Sequence, residues 1–169
     1  MALILVPVDC SEFSLLAIRH LIGRARGGEP LRLHLLNVQP RFSFLVARFL
    51  CHGEIARFRR ERAAEALDRA EQPLKEAGIA CTTEVRFGDA AREIVRCARA
   101  GGFDAIVMGS WGIASLAEVL CGSITARVLR SSPVPVEVIP APDHRGARAY
   151  ADGAGLAAAI LVLAYLAFE

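Results

Sequence analysis

The chain has 169 residues, with 20 Lys and Arg against 18 Asp and Glu, a formal net charge of +2, and 54% hydrophobic residues. Intrinsic disorder needs few apolar residues and a strong charge imbalance, so this composition excludes disorder of the whole chain and indicates one globular domain of ordinary size. The small net charge cannot attract a polyanion over a broad surface, so nucleic acid is not expected as the main partner.

The first elements in chain order are a strand, a helix and a second strand. The run Leu3 to Val8 predicts a buried strand, and Ser11 is a candidate N-cap for the helix that Gly27 and Gly28 end. A second run, Leu31 to Val38, is too apolar for a strand with one face in water. It therefore predicts a strand in the interior of a sheet.

The middle of the chain continues the alternation of helices and strands. The stretch from Arg41 to Gly53 predicts either a lid or a short packed helix, and Glu54 to Ala77 has the apolar stripe of an amphipathic helix. The remaining predicted elements are a strand over 80–87, a helix over 90–100 capped by Asp89, a strand over 104–108, a helix from about 123 to 130, and a last strand over 134–139. Pro133 and Pro135 place the last strand near a sheet edge.

This βαβαβαβαβ order predicts the fold class. We expect an α/β domain with a five-stranded, parallel, doubly wound (Rossmann-like) sheet and helices on both faces. In such sheets a ligand binds beyond the carboxyl ends of the strands, where the winding reverses. If the sheet starts at its centre, that crevice lies between the first and fourth strands, which Asp9 and Gly109 directly follow.

A glycine-marked loop follows the fourth strand. Gly109, Gly112, Gly122 and Ser123 form the pattern Gly-x2-Gly-x9-Gly-Ser, and a helix is predicted to begin there. Glycines let backbone amides approach an oxyanion closely, and the first amides of a helix are unpaired, so the pattern predicts a phosphate-binding loop. The spacing matches neither the loop that ends in Gly-Lys-Ser/Thr nor the dinucleotide fingerprint Gly-x-Gly-x-x-Gly.

Five motifs together resemble one known family over about Leu3 to Pro140. They are Val6-Pro7-Val8-Asp9 with Ser11, Leu36-Asn37-Val38, Val107-Met108-Gly109-Ser110, the glycine loop, and Arg127-Val128-Leu129-Arg130 leading to Pro133-Val134-Pro135-Val136. In these motifs the chain resembles the universal stress protein family, in particular its nucleotide-binding branch.

The resemblance implies a site for an adenine nucleotide: ATP, or else ADP or AMP, with Mg²⁺ as an accompanying ion. By position, the adenosine side would be lined by Pro7, Asp9 and Val38, and the ribose and phosphates by Met108, Gly109, Gly112, Gly122, Ser123 and Ile124. Asp9 could accept hydrogen bonds from ribose hydroxyls or hold a hydrated Mg²⁺. Its alternative role is to cap the first helix.

The loop also departs from the family pattern. Family loops often carry a basic or imidazole side chain after the first glycine and a basic one after the second, where this chain has Trp111 and Ile113; its only charged residue between Gly109 and Ser123 is Glu118. Phosphate charge would then be neutralised by backbone dipoles, Mg²⁺ or Arg127.

We therefore expect a regulatory, nucleotide-binding protein of the stress response rather than an enzyme. Hydrolysis needs a positioned base or water and fixed cations on the phosphates, and the sequence indicates neither. Two alternatives remain: a dimeric scaffold that does not bind nucleotide, and a slow ATPase or phosphotransferase.

The resemblance further implies a homodimer through the last strand, with Val134, Val136 and Val138 as an apolar edge. The five cysteines show no disulfide or zinc spacing, which favours the cytoplasm.

We divide the chain into a nucleotide-binding domain (1–142), a linker (143–155) and an apolar C-terminal segment (156–169). That segment could pack on the domain or a partner subunit as a short helix or strand, anchor the protein in a membrane, or be a disordered extension.

Overall fold

The structure is a computed structural model that describes residues 1–40, 52–110, 124–140 and 160–162; for 52–56 and 160–162 it describes the backbone alone. The elements are β1 (Ala2–Val8), α1 (Glu12–Arg26), β2 (Leu31–Gln39), α2 (His52–Glu76), β3 (Cys81–Phe87), α3 (Ala90–Gly101), β4 (Ala105–Ser110), α4 (Ile124–Ser131), β5 (Val136–Pro140) and β6 (Ile160–Val162). Each of the five predicted strands is present, with ends within two residues of the prediction.

The sheet has the order β3-β2-β1-β4-β5-β6. Its first five strands are parallel, which confirms the predicted doubly wound sheet that starts at its centre. The short β6 adds a strand beyond the predicted five and pairs antiparallel with β5. The winding reverses between β1 and β4, because β2 and β3 lie on one side of β1 and β4 and β5 lie on the other.

Alternate side chains of the central strands supply two cores. Ile4, Val6 and Val8 of β1 pack with α1 and α2, whereas Leu5 belongs to the core under α3 and α4. This alternation follows from the two-residue period of a strand, and burial on both faces explains why the strand sequences are so apolar.

Two polar side chains cap the N-termini of α1 and α3. Ser11 is the N-cap of α1, and its hydroxyl accepts from the Ser14 amide at 3.4 Å. Asp89 is the N-cap of α3, and its carboxylate accepts from the Arg92 amide at 3.0 Å. Both caps were predicted from the sequence. Helix α3 ends at Gly102, whose φ of 62° lies in the left-handed region that glycine adopts without strain.

The valine side chains of β5 are placed differently from the sequence expectation. The side chains of Val136 and Val138 are 2% and 5% exposed and lie in the core under α3 and α4, so they cannot also form an apolar edge for a second copy. Val134 precedes β5 and packs partly buried against the same core. The outer edge of β5 therefore offers backbone groups, and β6 pairs with them.

Several predictions fall on residues outside the described ranges. They are the lid or helix over 41–51, most of the glycine loop (111–123), the linker over 143–155, and the apolar segment apart from the backbone of 160–162. Among the described residues, no helix has both the length and the apolar character needed to cross a membrane.

Candidate functional site

A crevice of about 340 Å³ opens at the carboxyl ends of β1 and β4, at the point where the winding of the sheet reverses. Six of the nine residues singled out in the sequence line it, namely Pro7, Asp9, Val38, Met108, Gly109 and Ile124. The structure thus brings together residues more than a hundred positions apart in the chain. Their role in binding a ligand stays a prediction.

Asp9 lies at the mouth of this crevice and is held by the first turn of α1. Its Oδ1 accepts from the Ser11 amide at 3.0 Å, from the Ser11 hydroxyl, and from the Ser14 hydroxyl at 2.5 Å. The Ser14 hydroxyl in turn accepts from the Asp9 amide at 2.9 Å. Asp9 therefore braces the residues at the start of α1, while the N-cap itself is Ser11 and not Asp9.

These hydrogen bonds also set the charge of Asp9. Shielding from solvent opposes ionisation, but the hydrogen bonds from Ser11 and Ser14 outweigh it and lower the pKa of the Asp9 carboxyl. The group is thus an anion at neutral pH. The hydrogen bonds from Ser11 and Ser14 all reach Oδ1, and Oδ2 is the second acceptor that this carboxylate can offer to a ligand hydroxyl or a metal-bound water.

Asn37 fixes the neighbouring end of β2. Its side chain is 1% exposed, donates from Nδ2 to the Val8 carbonyl at 2.8 Å, and accepts at Oδ1 from the Gln39 amide group at 2.8 Å. A buried polar group needs such partners to offset its desolvation. Asn37 therefore ties the end of β1, one residue before Asp9, to β2.

Gly109 allows α1 to approach β4 closely. A Cβ at this position would lie 1.9 Å from the Phe13 carbonyl oxygen and 2.4 Å from its carbon, which no side chain could tolerate. Its φ is not positive, so the close approach alone accounts for the glycine. The first glycine of the predicted loop thus has a packing role whether or not a ligand is bound.

The inner wall of the crevice is apolar. Leu36, Ile94 and Met108 are buried residues of the core under α3 and α4, and each also lines the crevice. Such a wall suits a flat apolar group such as a base, while the polar groups lie at the rim near Asp9. The crevice therefore combines an apolar interior with one anionic rim group.

Arg127 does not line this crevice. Both of its terminal nitrogens donate to the two oxygens of the Asp89 carboxylate, at 2.9 and 2.6 Å. This pair joins the start of α3 to α4 and, through those hydrogen bonds, lowers the pKa of Asp89. The role in neutralising phosphate charge that the sequence left open for Arg127 stays a prediction, and in this structure the side chain is paired with Asp89.

The remaining predicted site residues are Gly112, Gly122 and Ser123. They lie outside the described residues, as does Trp111, so the phosphate-binding loop itself stays a prediction. Of the loop, the structure describes only its first two residues, Gly109 and Ser110, which end β4.

Sequence reasoning missed Ser14 and did not assign a role to Asn37. The signals were present: Asp9, Ser11 and Ser14 stand at the start of a helix with the spacing that lets two hydroxyls turn back to one carboxylate, and Asn37 is a polar residue within an apolar strand. The helix α3 was predicted, but nothing in the sequence placed its residues Ala90 and Ile94 against the crevice.

Comparison with known proteins identifies the family. Residues 1–140 match the sequence profile of the universal stress protein family. The chain belongs to this family. Universal stress protein MJ0531 of Methanocaldococcus jannaschii is 33% identical over 141 residues, which cover 82% of each chain.

Solved structures of the universal stress protein family have the same fold. The hypothetical protein MJ0577 aligns with a TM-score of 0.68 and 29% identity, over 83% of this chain and 96% of its own. An Arabidopsis thaliana universal stress protein with AMP bound aligns with a TM-score of 0.66 and 17% identity, over 86% and 95% of the two chains. A universal stress protein in complex with cAMP aligns with a TM-score of 0.63 and 22% identity, over 82% and 96%. At these last two identities the likeness establishes the fold alone.

Proposed function

We propose that this universal stress protein binds an adenine nucleotide in the crevice between β1 and β4 as a regulatory ligand of the stress response. The observation that carries the proposal is the crevice itself, which lies where the winding of the sheet reverses and is lined by six residues predicted for this role. Two proteins of the same fold, solved with AMP and with cAMP, support the choice of an adenine nucleotide.

The chemistry of the crevice supports one orientation of the ligand. The apolar wall of Leu36, Val38 and Met108 would take the base, and Oδ2 of Asp9 would accept from a ribose hydroxyl. The phosphates would then lie toward Gly109 and the loop that follows it. With Arg127 paired to Asp89, their charge would be met by backbone amides and, for ATP or ADP, by Mg²⁺ held through water.

The test is to extract any nucleotide with acid from the purified protein, and then to titrate the emptied protein with ATP, ADP, AMP and cAMP, with and without Mg²⁺. Replacing Asp9 by Asn removes the charge but keeps the shape, and should weaken binding by about tenfold to a hundredfold, because a hydrogen bond to a charged group is worth roughly 1.5–3 kcal/mol.

The matched control is Asp68→Asn on the exposed side of α2, which should leave the affinity unchanged. Circular dichroism should show that both variants are folded. If none of the four nucleotides binds at millimolar concentration, or if the two variants bind alike, the crevice is not the proposed site.

A second candidate function is a scaffold without nucleotide, and the lack of basic residues in the loop favours it. Glu118 is the only charged residue between Gly109 and Ser123, and Arg127 is paired elsewhere. The titrations with and without Mg²⁺ together separate the two functions, because a scaffold would bind none of the nucleotides under either condition. The third alternative, a slow ATPase, would require multiple turnover above a Gly122→Val control.

Self-association through β5 and a cytoplasmic location belong to the same proposal. In this chain β6 pairs with the edge of β5 that a second copy would use. Deleting residues 153–169 should therefore shift the protein toward a dimer in light scattering at micromolar concentration, relative to the full chain. An unchanged mass would count against pairing through β5.

A further inference from the structure

Three side chains with metal-binding atoms meet away from the crevice, between β2, β3 and α3. They are His34, Glu84 and Cys97, and their ligand atoms lie within 4.8 Å of one another. His34 Nε2 is 3.1 Å from Glu84 Oε2, and Cys97 Sγ is 3.7 Å from the same oxygen. One carboxylate oxygen thus faces both an imidazole nitrogen and a thiol.

Strand register and helix packing bring these residues together. His34 pairs with Thr82 and Leu36 with Glu84 in the parallel ladder of β2 and β3, which makes His34 and Glu84 diagonal neighbours on one face of the sheet. Cys97 lies on α3, is 2% exposed, and belongs to the core between α3 and the sheet. The three groups are therefore held by regular elements rather than by loops.

The geometry points to a metal site: we propose that His34 Nε2, Glu84 Oε2 and Cys97 Sγ bind one divalent transition-metal ion of the Zn²⁺ type. Imidazole, thiolate and carboxylate are the donors that Zn²⁺ prefers. Tetrahedral Zn²⁺ with bonds of about 2.0 Å to N and O and about 2.3 Å to S separates its ligands by roughly 3.3–3.6 Å. The separations from Glu84 Oε2 to His34 Nε2 and to Cys97 Sγ are 3.1 and 3.7 Å, which differ little from that range, and the third pair of ligand atoms lies within 4.8 Å.

Neighbouring groups orient two of the ligands. His34 Nδ1 lies 2.8 Å from the Thr82 hydroxyl oxygen, and when Nδ1 is the donor of that pair the lone pair of Nε2 is available to an ion. Arg86 donates to both oxygens of Glu84, from Nε to Oε1 at 2.7 Å and from Nη2 to Oε2 at 3.4 Å, so the shorter bond holds Oε1 while Oε2 faces His34 and Cys97 as well as Arg86. The ring of Phe103 also packs 5.3 Å from that of His34. Such outer partners are typical of metal-binding histidines and carboxylates.

Binding of the ion requires the Cys97 thiol to lose its proton, because thiolate rather than thiol is the metal ligand. On binding, the S–H bond breaks, a sulfur–metal bond forms, and the proton passes to the solvent. Binding should therefore weaken as the pH falls.

An ion can reach the cluster from outside. A surface cleft of about 400 Å³ is lined by His34, Glu84 and Cys97, and the His34 and Glu84 side chains are 18% and 36% exposed. Three protein ligands leave one tetrahedral position for a water molecule. This site shares no residue with the proposed nucleotide site, so each proposal can fail without the other.

The test is a titration of the full chain with Co²⁺ alone, followed by displacement with Zn²⁺. Tetrahedral Co²⁺ with a thiolate ligand gives strong visible bands and a sulfur-to-metal charge-transfer band in the near ultraviolet. We expect both bands at one equivalent of Co²⁺, and their loss when Zn²⁺ is added. Cys97→Ala should abolish the charge-transfer band, and Glu84→Gln, which keeps the shape, should weaken Co²⁺ binding more than about tenfold.

Cys81→Ala is the matched control, because Cys81 lies at the start of β3 and is not one of the three ligands. It should keep both bands. Zn²⁺ should also raise the thermal midpoint of the wild type and of Cys81→Ala but not that of Cys97→Ala. The proposal is overturned if the wild type shows no charge-transfer band, if the band survives in Cys97→Ala, or if Glu84→Gln binds Co²⁺ as tightly as the wild type.

Discussion

The crevice at β1 and β4 and the cluster at β2 and β3 are built in different ways. The crevice results from topology and from the close approach of two backbones at Gly109 and Phe13, and its polar rim group, Asp9, also holds the first turn of α1. The cluster consists of side chains that meet because two strands are in register, and His34 and Glu84 are only partly buried. Substitutions should therefore damage the fold at the crevice and spare it at the cluster.

The largest effect is expected at Gly109. Gly109→Ala should destabilise the protein by about 3 kcal/mol or more, because the added Cβ would collide with the backbone of Phe13, which cannot move without shifting α1. Denaturant unfolding measures this loss. Gly23→Ala is the control: this glycine is inside α1 with no atom within 4 Å of the added Cβ, and the change should stabilise by about 0.5–1 kcal/mol. If the two substitutions changed the free energy of unfolding equally, the close approach of Phe13 would not be the reason for a glycine at position 109.

The next effect is expected at Asn37. Asn37→Ala should lower the free energy of unfolding by roughly 1–3 kcal/mol, because the buried Val8 carbonyl would lose its side-chain donor. Gln39→Ala removes only the outer partner of Asn37 and should cost clearly less. If the two variants proved equally stable in urea, Asn37 would not be the tie between β1 and β2.

Asp89 should show a smaller effect that depends on pH. Asp89→Ala should lower the free energy of unfolding by about 1 kcal/mol through the lost N-cap, whereas Asp89→Asn keeps a capping side chain, loses only the exposed pair with Arg127, and should cost clearly less. Since the pKa of Asp89 is lowered in the folded state, its charge stabilises the protein above the unfolded-state pKa of about 4 and ceases to do so as the pH falls through the folded-state pKa. The difference between wild type and Asp89→Asn should therefore shrink as the solution is acidified, and a constant difference would exclude the ion pair as its source.

The smallest effect is expected at the cluster. His34→Gln, measured without metal, should change the free energy of unfolding by less than about 1 kcal/mol, because the side chain is partly exposed and its pair with Glu84 lies near the surface. A loss as large as that of Gly109→Ala would mean that the cluster supports the fold, and the contrast between the two regions would disappear.

The fold was predictable because its signals are local. The apolar strands, the caps Ser11 and Asp89, and the glycines after α1 and α3 each lie within a few residues of the element that they define. The alternation of strands and helices then leaves few ways to wind the sheet. For the same reason the sequence predicted that Asp9 and Gly109 would share one crevice.

Contacts between distant elements were not predictable in this way. The pairing of Arg127 with Asp89 joins residues 38 positions apart, and that of His34 with Glu84 joins residues 50 positions apart. The first pair depends on how α3 and α4 pack beside each other, and the second depends on the register of β2 with β3, neither of which a local pattern encodes. The spacing of the cysteines along the chain shows no metal-binding pattern, so it gives no sign that His34 and Glu84 lie next to Cys97.

Helix α3 belongs to both regions, since Ile94 lines the crevice and Cys97, three residues on, points into the cluster. Neighbouring turns of one rigid helix cannot shift independently. A ligand that displaces α3 at one of these sites therefore changes the free energy of ligand binding at the other. Thermodynamic linkage makes that influence equal in both directions, so each ligand would change the affinity of the other by the same factor.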